Sequence, residues 1–412
     1  MNETLQQLMR DATRLTRAGQ LDEATKAIQR ALRQQPEAPE APQNGPPIID
    51  PAHVPKPGAV TLDATPTVPG GDVFEVDMRR HDGAEVVDAR AEPASNHDTG
   101  RHAPSSFTHY QKSADVEDTG AGEFTQGTHT HVSKTLRYKL YTPPGHGSRP
   151  LPLVVMLHGC TQNADDFATG TGMNVAARAQ GLFVLYPEQS QSANSSKCWN
   201  WFQSNDQHRG QGEPAFIASL TEAVMKQYSI DPARVYIAGL SAGGAMATIV
   251  AEAYPEIFAA VCVHSGLPRG AANSVMEAFT VMRTGDVAAP LSGIRMQMSV
   301  PTIVFHGDND KTVHPRHGER VIAAVLSGDN AAHWQGAGGG SPRIEKGTSA
   351  KGRRYTRSTY HDNNGNAMLE HWLVHGAGHA WSGGHAAGSY TDAKGPDATA
   401  EMLRFFTLHP RK

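Results

Sequence analysis

Cysteine is scarce in this chain of 412 residues: there are three, Cys160, Cys198 and Cys262. Three are too few for a disulfide framework, and no CxxC pair is present to build the corresponding zinc site. The odd count leaves at least one thiol free, with room for a single Cys160–Cys198 bridge. Long hydrophobic runs are also lacking, so no membrane-spanning helix is expected. Neither sign of charge dominates: 37 Lys and Arg face 41 Asp and Glu, a net charge of −4. That balance excludes the basic footprint of a nucleic-acid binder. The first residues, Met1-Asn2-Glu3-Thr4-Leu5, lack the basic and apolar regions of a secretory signal. As written, the chain is expected in the cytoplasm unless it leaves by another route.

Aromatic residues are nearly absent from the first quarter, where Phe74 is the only one between Met1 and Ser106. Ten of the 27 prolines fall between Pro36 and Pro69. Such a stretch buries too little apolar surface to offset the entropy of ordering. Residues 37–123 therefore read as a Pro-rich, disordered linker. Before it, residues 1–36 read as a helical hairpin. Leu5, Leu8, Met9, Ala12 and Leu15 keep helical spacing, as do Leu21, Ala24, Ala27, Ile28, Ala31 and Leu32. Gly19 separates the two helices and Pro36 ends the second. The pattern is that of one tetratricopeptide-like hairpin, which cannot bury its apolar face alone. It either docks on a protein partner or packs on its own chain.

Residues 124–412 have a different character. Leu136, Tyr138 and Leu140 alternate with polar neighbours, as in a half-buried strand. Leu153–Leu157 is continuously apolar, as expected of a strand covered on both faces. Further strands are expected at 182–186, 235–238, 259–263, 302–305 and 369–374. Helices are expected at 166–180, 213–228, 242–254, 315–326 and 396–408. Strands alternating with helices predict an α/β fold: a mostly parallel sheet with helices on both faces.

One motif carries chemistry. Val235–Ala238 is followed by Gly239-Leu240-Ser241-Ala242-Gly243 and then a helix, so GxSxG stands in a strand–turn–helix context. The sharp turn lifts the serine hydroxyl above the sheet edge, and small residues are needed where larger side chains would clash. The helix N-terminus then lies under any developing negative charge. Serine is a weak nucleophile without a base, so an acid and a histidine must follow in the order serine, acid, histidine. Thr302–Phe305 leads into His306-Gly307-Asp308-Asn309-Asp310. Asp310 takes the acid position and Asp308 the turn. Beyond the last strand lies His375-Gly376-Ala377-Gly378-His379. His379 is the expected base, projecting from a glycine loop, with His375 as its rival.

The i, i+4 spacing of His371, His375 and His379 would suit a metal on a helix. Gly376 and Gly378 break any helix there and no HExxH occurs, so no metal and no cofactor are expected. No GxGxxG follows the first strand, which argues against a dehydrogenase. Two backbone N–H groups must stabilise the oxyanion. Ala242, after the nucleophile, supplies one, and Cys160, in the loop after the first buried strand, supplies the other. Trp199, Trp201 and Trp381 are expected to wall an aromatic cleft for the substrate.

With these pieces in place the chain resembles the polyhydroxybutyrate (PHB) depolymerase family of esterases. The resemblance rests on His158–Asn174 (HGCTQNADDFATGTGMN), Leu185–Gln189 (LYPEQ), Cys198–Phe202 (CWNWF), Ile230–Met246 (IDPARVYIAGLSAGGAM), Val263–Leu267 (VHSGL), His306–Val313 (HGDNDKTV) and His375–Gly384 (HGAGHAWSGG). It spans about residues 124–408. It implies an α/β-hydrolase fold, a Ser241–Asp310–His379 triad and oxyanion donors at Cys160 and Ala242. It also implies a serine esterase acting on short-chain or 3-hydroxyalkanoate esters and oligomers, with feruloyl or acetylxylan esters as the alternative. Many members are secreted, so an extracellular location stands beside the cytoplasmic one. No substrate-binding domain is evident after the catalytic one, which favours a small or oligomeric ester over solid polymer. Outside enzymes, the alternative is a tethering protein with a hydrolase-like domain, against which an intact triad in order argues.

Overall fold

A computed structural model of the chain describes residues 120–132, 134–286, 300–327 and 341–411. The expected N-terminal hairpin (1–36) and all but the last residues of the expected linker (37–123) lie outside the described residues.

Strands β1 (Glu123–His131) and β2 (Lys134–Thr142) form an antiparallel pair at one edge of a ten-stranded sheet. Then come β3 (Leu151–Leu157), helices α1 (Ala164–Thr171) and α2 (Met173–Gln180), and β4 (Phe183–Pro187). Helix α3 (Gly212–Gln227), strand β5 (Ile230–Leu240), helix α4 (Ala242–Ala253) and strand β6 (Ala260–His264) follow. The chain continues through α5 (Val275–Thr284), β7 (Thr302–Gly307) and α6 (Arg316–Leu326). It then forms β8 (Arg343–Thr348), β9 (Arg354–His361) and β10 (Ala367–Val374). A short parallel pair, β11 (Trp381–Ser382) and β12 (Thr391–Asp392), precedes α7 (Ala398–Thr407).

The sheet order is β1-β2-β4-β3-β5-β6-β7-β10-β9-β8. Strands β4, β3, β5, β6, β7 and β10 run parallel, and antiparallel pairs flank them on both sides. This is the α/β-hydrolase architecture. Strand alternation divides the core. Leu153, Val155 and Leu157 face α3, α4, α5 and α6. Val154 and Met156 face α1, α2 and α7. Both faces of β3 are covered, which is why its sequence is a continuous apolar run. Among the described residues no helix is long and apolar enough to cross a membrane.

Two expectations need correction. The single helix read over 166–180 is two helices, because Gly172 adopts the left-handed conformation (φ 64°) and ends the first. The hairpin β8–β9 was not foreseen. Its strands are mostly polar and only partly covered, so they lack the apolar periodicity that marks a strand.

Because β5, β6, β7 and β10 are parallel, their carboxyl ends lie along one edge of the sheet. Ser241 follows β5, Asp308 and Asp310 follow β7, and His375 and His379 follow β10. The fold thus delivers every expected catalytic side chain to the same edge.

Candidate active site

Ser241 links strand β5 to helix α4 with φ 59° and ψ −121°, a conformation L-residues rarely adopt. Two glycines permit it. A Cβ on Gly239 would collide with the backbone of Gly243, and one on Gly243 with the carbonyl of Leu157. The turn is held by the Ser241 N–H, which donates to His264 O at 2.9 Å. Ser241 is 8% exposed, within reach from outside but shielded from bulk water.

His264 was not anticipated. Its ring is fully buried, stacked between Phe305 and Trp381. Burial, with the nearby His306 and His379, pushes its pKa down to about 3. It is neutral, and its Nε2 accepts the N–H of Ser382 at 2.9 Å. Through its backbone carbonyl and its ring it ties the serine turn to Ser382.

Asp310 and His379 meet. His379 Nδ1 donates to Asp310 Oδ2 at 2.7 Å, and Asp310 Oδ1 accepts the N–H groups of Thr312 (2.8 Å) and Val313 (2.9 Å). Burial alone would raise the Asp310 pKa, but the hydrogen bonds from His306 and His379 outweigh it and hold the carboxyl far below the usual range. Asp310 is therefore ionised and buried, and it fixes the His379 tautomer. With Nδ1 as the donor, His379 Nε2 is left as the proton acceptor.

The rival residues form a second pair. His375 Nδ1 donates to Asp308 Oδ2 at 2.8 Å, and Asp308 Oδ1 accepts the Gly376 N–H at 2.6 Å. The His375 ring has no nitrogen to spare, because its Nε2 is bonded to Thr356 Oγ1 at 2.9 Å. Asp308 and His375 are each about one-third exposed, whereas the Asp310 carboxylate is fully buried. The structure separates the two pairs by burial and by the free nitrogen. His371, third in the i, i+4 series, is enclosed beside Gly318, so the three histidines face different partners.

The loop after β3 packs directly on Ser241. A Cβ on Gly159 would stand 3.7 Å from the Ser241 Cβ. Among the described residues neither the Cys160 nor the Ala242 backbone N–H donates to a protein acceptor. His158 anchors the loop: Nδ1–H donates to Gly159 O (2.8 Å) and Nε2 accepts Gln189 N–H (3.1 Å). Burial lowers its pKa and keeps it neutral. Cys160 is joined to Cys198 by a disulfide. Cys262 is the buried free thiol.

Behind the disulfide lies a polar network that sequence reasoning missed. Glu213 is fully buried on α3. Its Oε1 accepts from Gln189 (2.5 Å) and from Asn200 Nδ2 (2.7 Å), and its Oε2 accepts the Asn200 N–H at 2.7 Å. Burial and the neighbouring Asp206 raise its pKa to about 7. The only signal in sequence is an acid on the same helix face as Phe216, Ile217 and Leu220.

The three tryptophans do not form the expected cleft wall. Trp199 (0% exposed) and Trp201 (4%) belong to the core on one side of the sheet; Trp381 (1%) belongs to the core on the other. Their large apolar surfaces are consumed by packing. The exposed aromatic at the site is Tyr390. It is 43% exposed, its ring stands edge-on to His379 at 6.4 Å, and its hydroxyl bonds Thr161 Oγ1 at 3.2 Å. Its loop position, at φ 52°, gives no periodic signal.

A buried Asp–His pair, a strained serine and two free N–H groups along one sheet edge can support acyl transfer. Comparisons with known proteins agree with this reading. Residues 136–338 match the family model described as Esterase PHB depolymerase. The chain is 32% identical over 244 residues to poly(3-hydroxyalkanoate) depolymerase C of Paucimonas lemoignei, covering 55% of this chain and 54% of that protein. It is 32% identical over 218 residues to acetylxylan esterase A of Talaromyces purpureogenus, covering 48% of this chain and 55% of that protein. The chain thus spans about half the length of these curated relatives. Among solved structures, an acetyl xylan esterase from Aspergillus awamori superimposes with a TM-score of 0.52 at 20% identity. That match covers 69% of this chain and 99% of the other, and it supports the fold.

Proposed function

On the premise that residues 136–338 belong to the esterase PHB depolymerase family, we propose that the protein is a serine carboxylic-ester hydrolase. The observation that carries this is the 2.7 Å bond from His379 Nδ1 to the buried Asp310, at the same sheet edge as the strained Ser241. In this reading Ser241 Oγ attacks the ester carbonyl while His379 Nε2 takes its proton. Asp310 orients the ring and stabilises the imidazolium. The N–H groups of Cys160 and Ala242 receive the oxyanion, and His379 returns the proton to the leaving alcohol. Water, activated by the same histidine, then releases the acid.

The substrates are short-chain or 3-hydroxyalkanoate esters and oligomers, in line with the name of the Paucimonas relative. The acetylxylan esterase relatives, at similar identity, support acetyl esters of a polysaccharide as the second reading. The Cys160–Cys198 disulfide favours an oxidising compartment and so supports work outside the cytoplasm, the second of the two locations left open by the sequence.

The test is turnover of a panel by the protein and by its Ser241→Ala variant. The panel holds p-nitrophenyl butyrate, 3-hydroxybutyrate oligomers, methyl ferulate and acetylated xylan. Serine-dependent turnover ranked towards hydroxybutyrate oligomers supports the first reading, and ranking towards acetylated xylan supports the second. Folded protein without turnover on any ester would overturn both and leave the tethering role.

A further inference from the structure

Beside the loop that carries His379, an open cleft of about 490 Å³ is lined by Lys351, Arg353, Arg354, Lys394, His375 and Asp308. Four cations around one cleft stand out in a chain whose acids outnumber its bases by 41 to 37. The acids here are already engaged. Asp392 takes both Arg353 Nε (2.9 Å) and Nη2 (3.0 Å). Asp308 takes His375 Nδ1 and the Gly376 N–H. Lys351, Arg354 and Lys394 are exposed and form no ion pair among the described residues. Their charge is uncompensated, which makes the cleft attractive to an anion.

Its place on the sheet says which anion. Val374 pairs with Tyr355, so Arg354, the first residue of β9, and the turn before it sit at the carboxyl end of β10, on the Ser241 edge. Strands β5, β6, β7 and β10 are consecutive neighbours, so three spacings of ~4.8 Å put the part of the cleft at the end of β10, lined by His375 and Gly376, about 14 Å across the edge from the nucleophile. The segment 375–379 bridges the gap. His375 and Gly376 line the cleft, the Gly376 carbonyl accepts Arg353 Nη1 at 2.9 Å, and His379 meets Asp310. A 3-hydroxyacid unit has four backbone bonds. A peptide unit has three and advances 3.3–3.6 Å, so the hydroxyacid unit advances about 4.5 Å. Three units span the distance.

We propose that this cleft binds the free carboxylate end of an oligomeric ester substrate, about three hydroxyacid units from the scissile bond. The proposal rests on the ester-hydrolase reading for its substrate. It makes the enzyme select oligomers with a free acid end over neutral oligomers of equal length. No bond is made or broken in the cleft.

The experiment compares kcat/KM for a 3-hydroxybutyrate tetramer as free acid and as methyl ester, at low salt and at about 0.5 M salt. It uses the full chain and a Lys351→Gln/Lys394→Gln variant, with p-nitrophenyl butyrate as the uncharged reference. The expected result is a preference of about tenfold for the free acid at low salt. That preference vanishes in the variant and shrinks at high salt, while p-nitrophenyl butyrate turnover stays unchanged. Equal rates for acid and methyl ester in the unmodified protein, or a preference that survives in the variant, would overturn the cleft. Loss of all turnover would instead sink the hydrolase reading. Calorimetric titration of the tetramer acid into Ser241→Ala protein tests the cleft independently of turnover. Heat that is lost in the double-lysine background supports it, and no heat in either background overturns it.

Discussion

His306, near the end of β7, directs a single imidazole N–H both to Asp310, four residues on, and to the Val313 carbonyl. Nε2 of His306 lies 2.9 Å from the Val313 carbonyl and 3.4 Å from Asp310 Oδ2. Both side chains are fully buried. The proton is a three-centre donor that fixes the turn containing the acid and adds a weaker contact to the carboxylate itself.

The first prediction concerns that proton. His306→Phe removes the donor and keeps the ring volume. Burial raises the Asp310 pKa while hydrogen bonds lower it, and the lowering wins in the native protein. A depressed carboxylate contributes stability above its unfolded pKa and loses it as pH falls. Weakening the depression should therefore move acid unfolding to higher pH, and kcat should fall about tenfold with KM nearly unchanged. Circular dichroism against pH and steady-state kinetics read the two effects. An unshifted acid limb would remove His306 from this role.

A second prediction separates the two Asp–His pairs. On the proposed mechanism, Asp310→Asn should lower kcat by about 10³–10⁴, as loss of the tautomer-fixing acid does in Ser-His-Asp triads. Asp308→Asn should cost no more than about tenfold, because it loosens the Gly376 turn without touching the His379 ring. Ser241→Ala should lose several orders of magnitude. The reverse ranking of the two aspartates would exchange their roles.

The disulfide is a third point of test. It closes a loop of 38 residues, for which chain entropy gives about 4 kcal/mol of stabilisation. Cys160→Ser/Cys198→Ser should lower Tm by several degrees in scanning calorimetry. It should also lower kcat, since Cys160 carries one of the two free N–H groups. A stability loss with kcat intact would separate the bridge from the oxyanion loop.

Glu213 supplies a pH signature of stability. Its folded pKa is raised from 4.5 to about 7 by burial and by Asp206. Between those values the folded state holds a proton that the unfolded state has lost, so this group makes stability fall as pH rises. Glu213→Gln should flatten that slope between pH ~4.5 and ~7 in denaturant titrations. It should also lower stability throughout, because an amide N–H would face the donors of Gln189 or Asn200. A slope unchanged from the parent would assign the titration elsewhere.

Tyr390 is the fifth. Tyr390→Ala removes the exposed ring beside His379 and its bond to Thr161. KM for neutral esters should rise about fivefold to tenfold while Tm stays within about a degree. An unchanged KM would remove the ring from the substrate path.

The sequence by itself determined the serine turn. The requirement for Gly239 and Gly243 is steric and local, so five residues between a strand and a helix suffice to specify it. It also determined the parallel core, because strands covered on both faces must be apolar throughout, and the order of serine, acid and histidine along the chain.

Tertiary structure alone decided the rest. Asp310 and His379 are 69 residues apart and Asp308 and His375 are 67 apart. Which aspartate meets which histidine follows from the register of β10 on β7, where Val374 faces Gly307. The disulfide depends likewise on bringing residues 38 positions apart together. The tryptophans illustrate the limit from the other side. Their sequence spacing marks large apolar side chains but not which layer has room for them, and the two cores took all three. Tyr390 and the basic cleft arise from loops and edges, where function depends on what lies across the fold and no period in the sequence records it; Glu213 sits on a helix, but its partners Gln189 and Asn200 come from other parts of the chain.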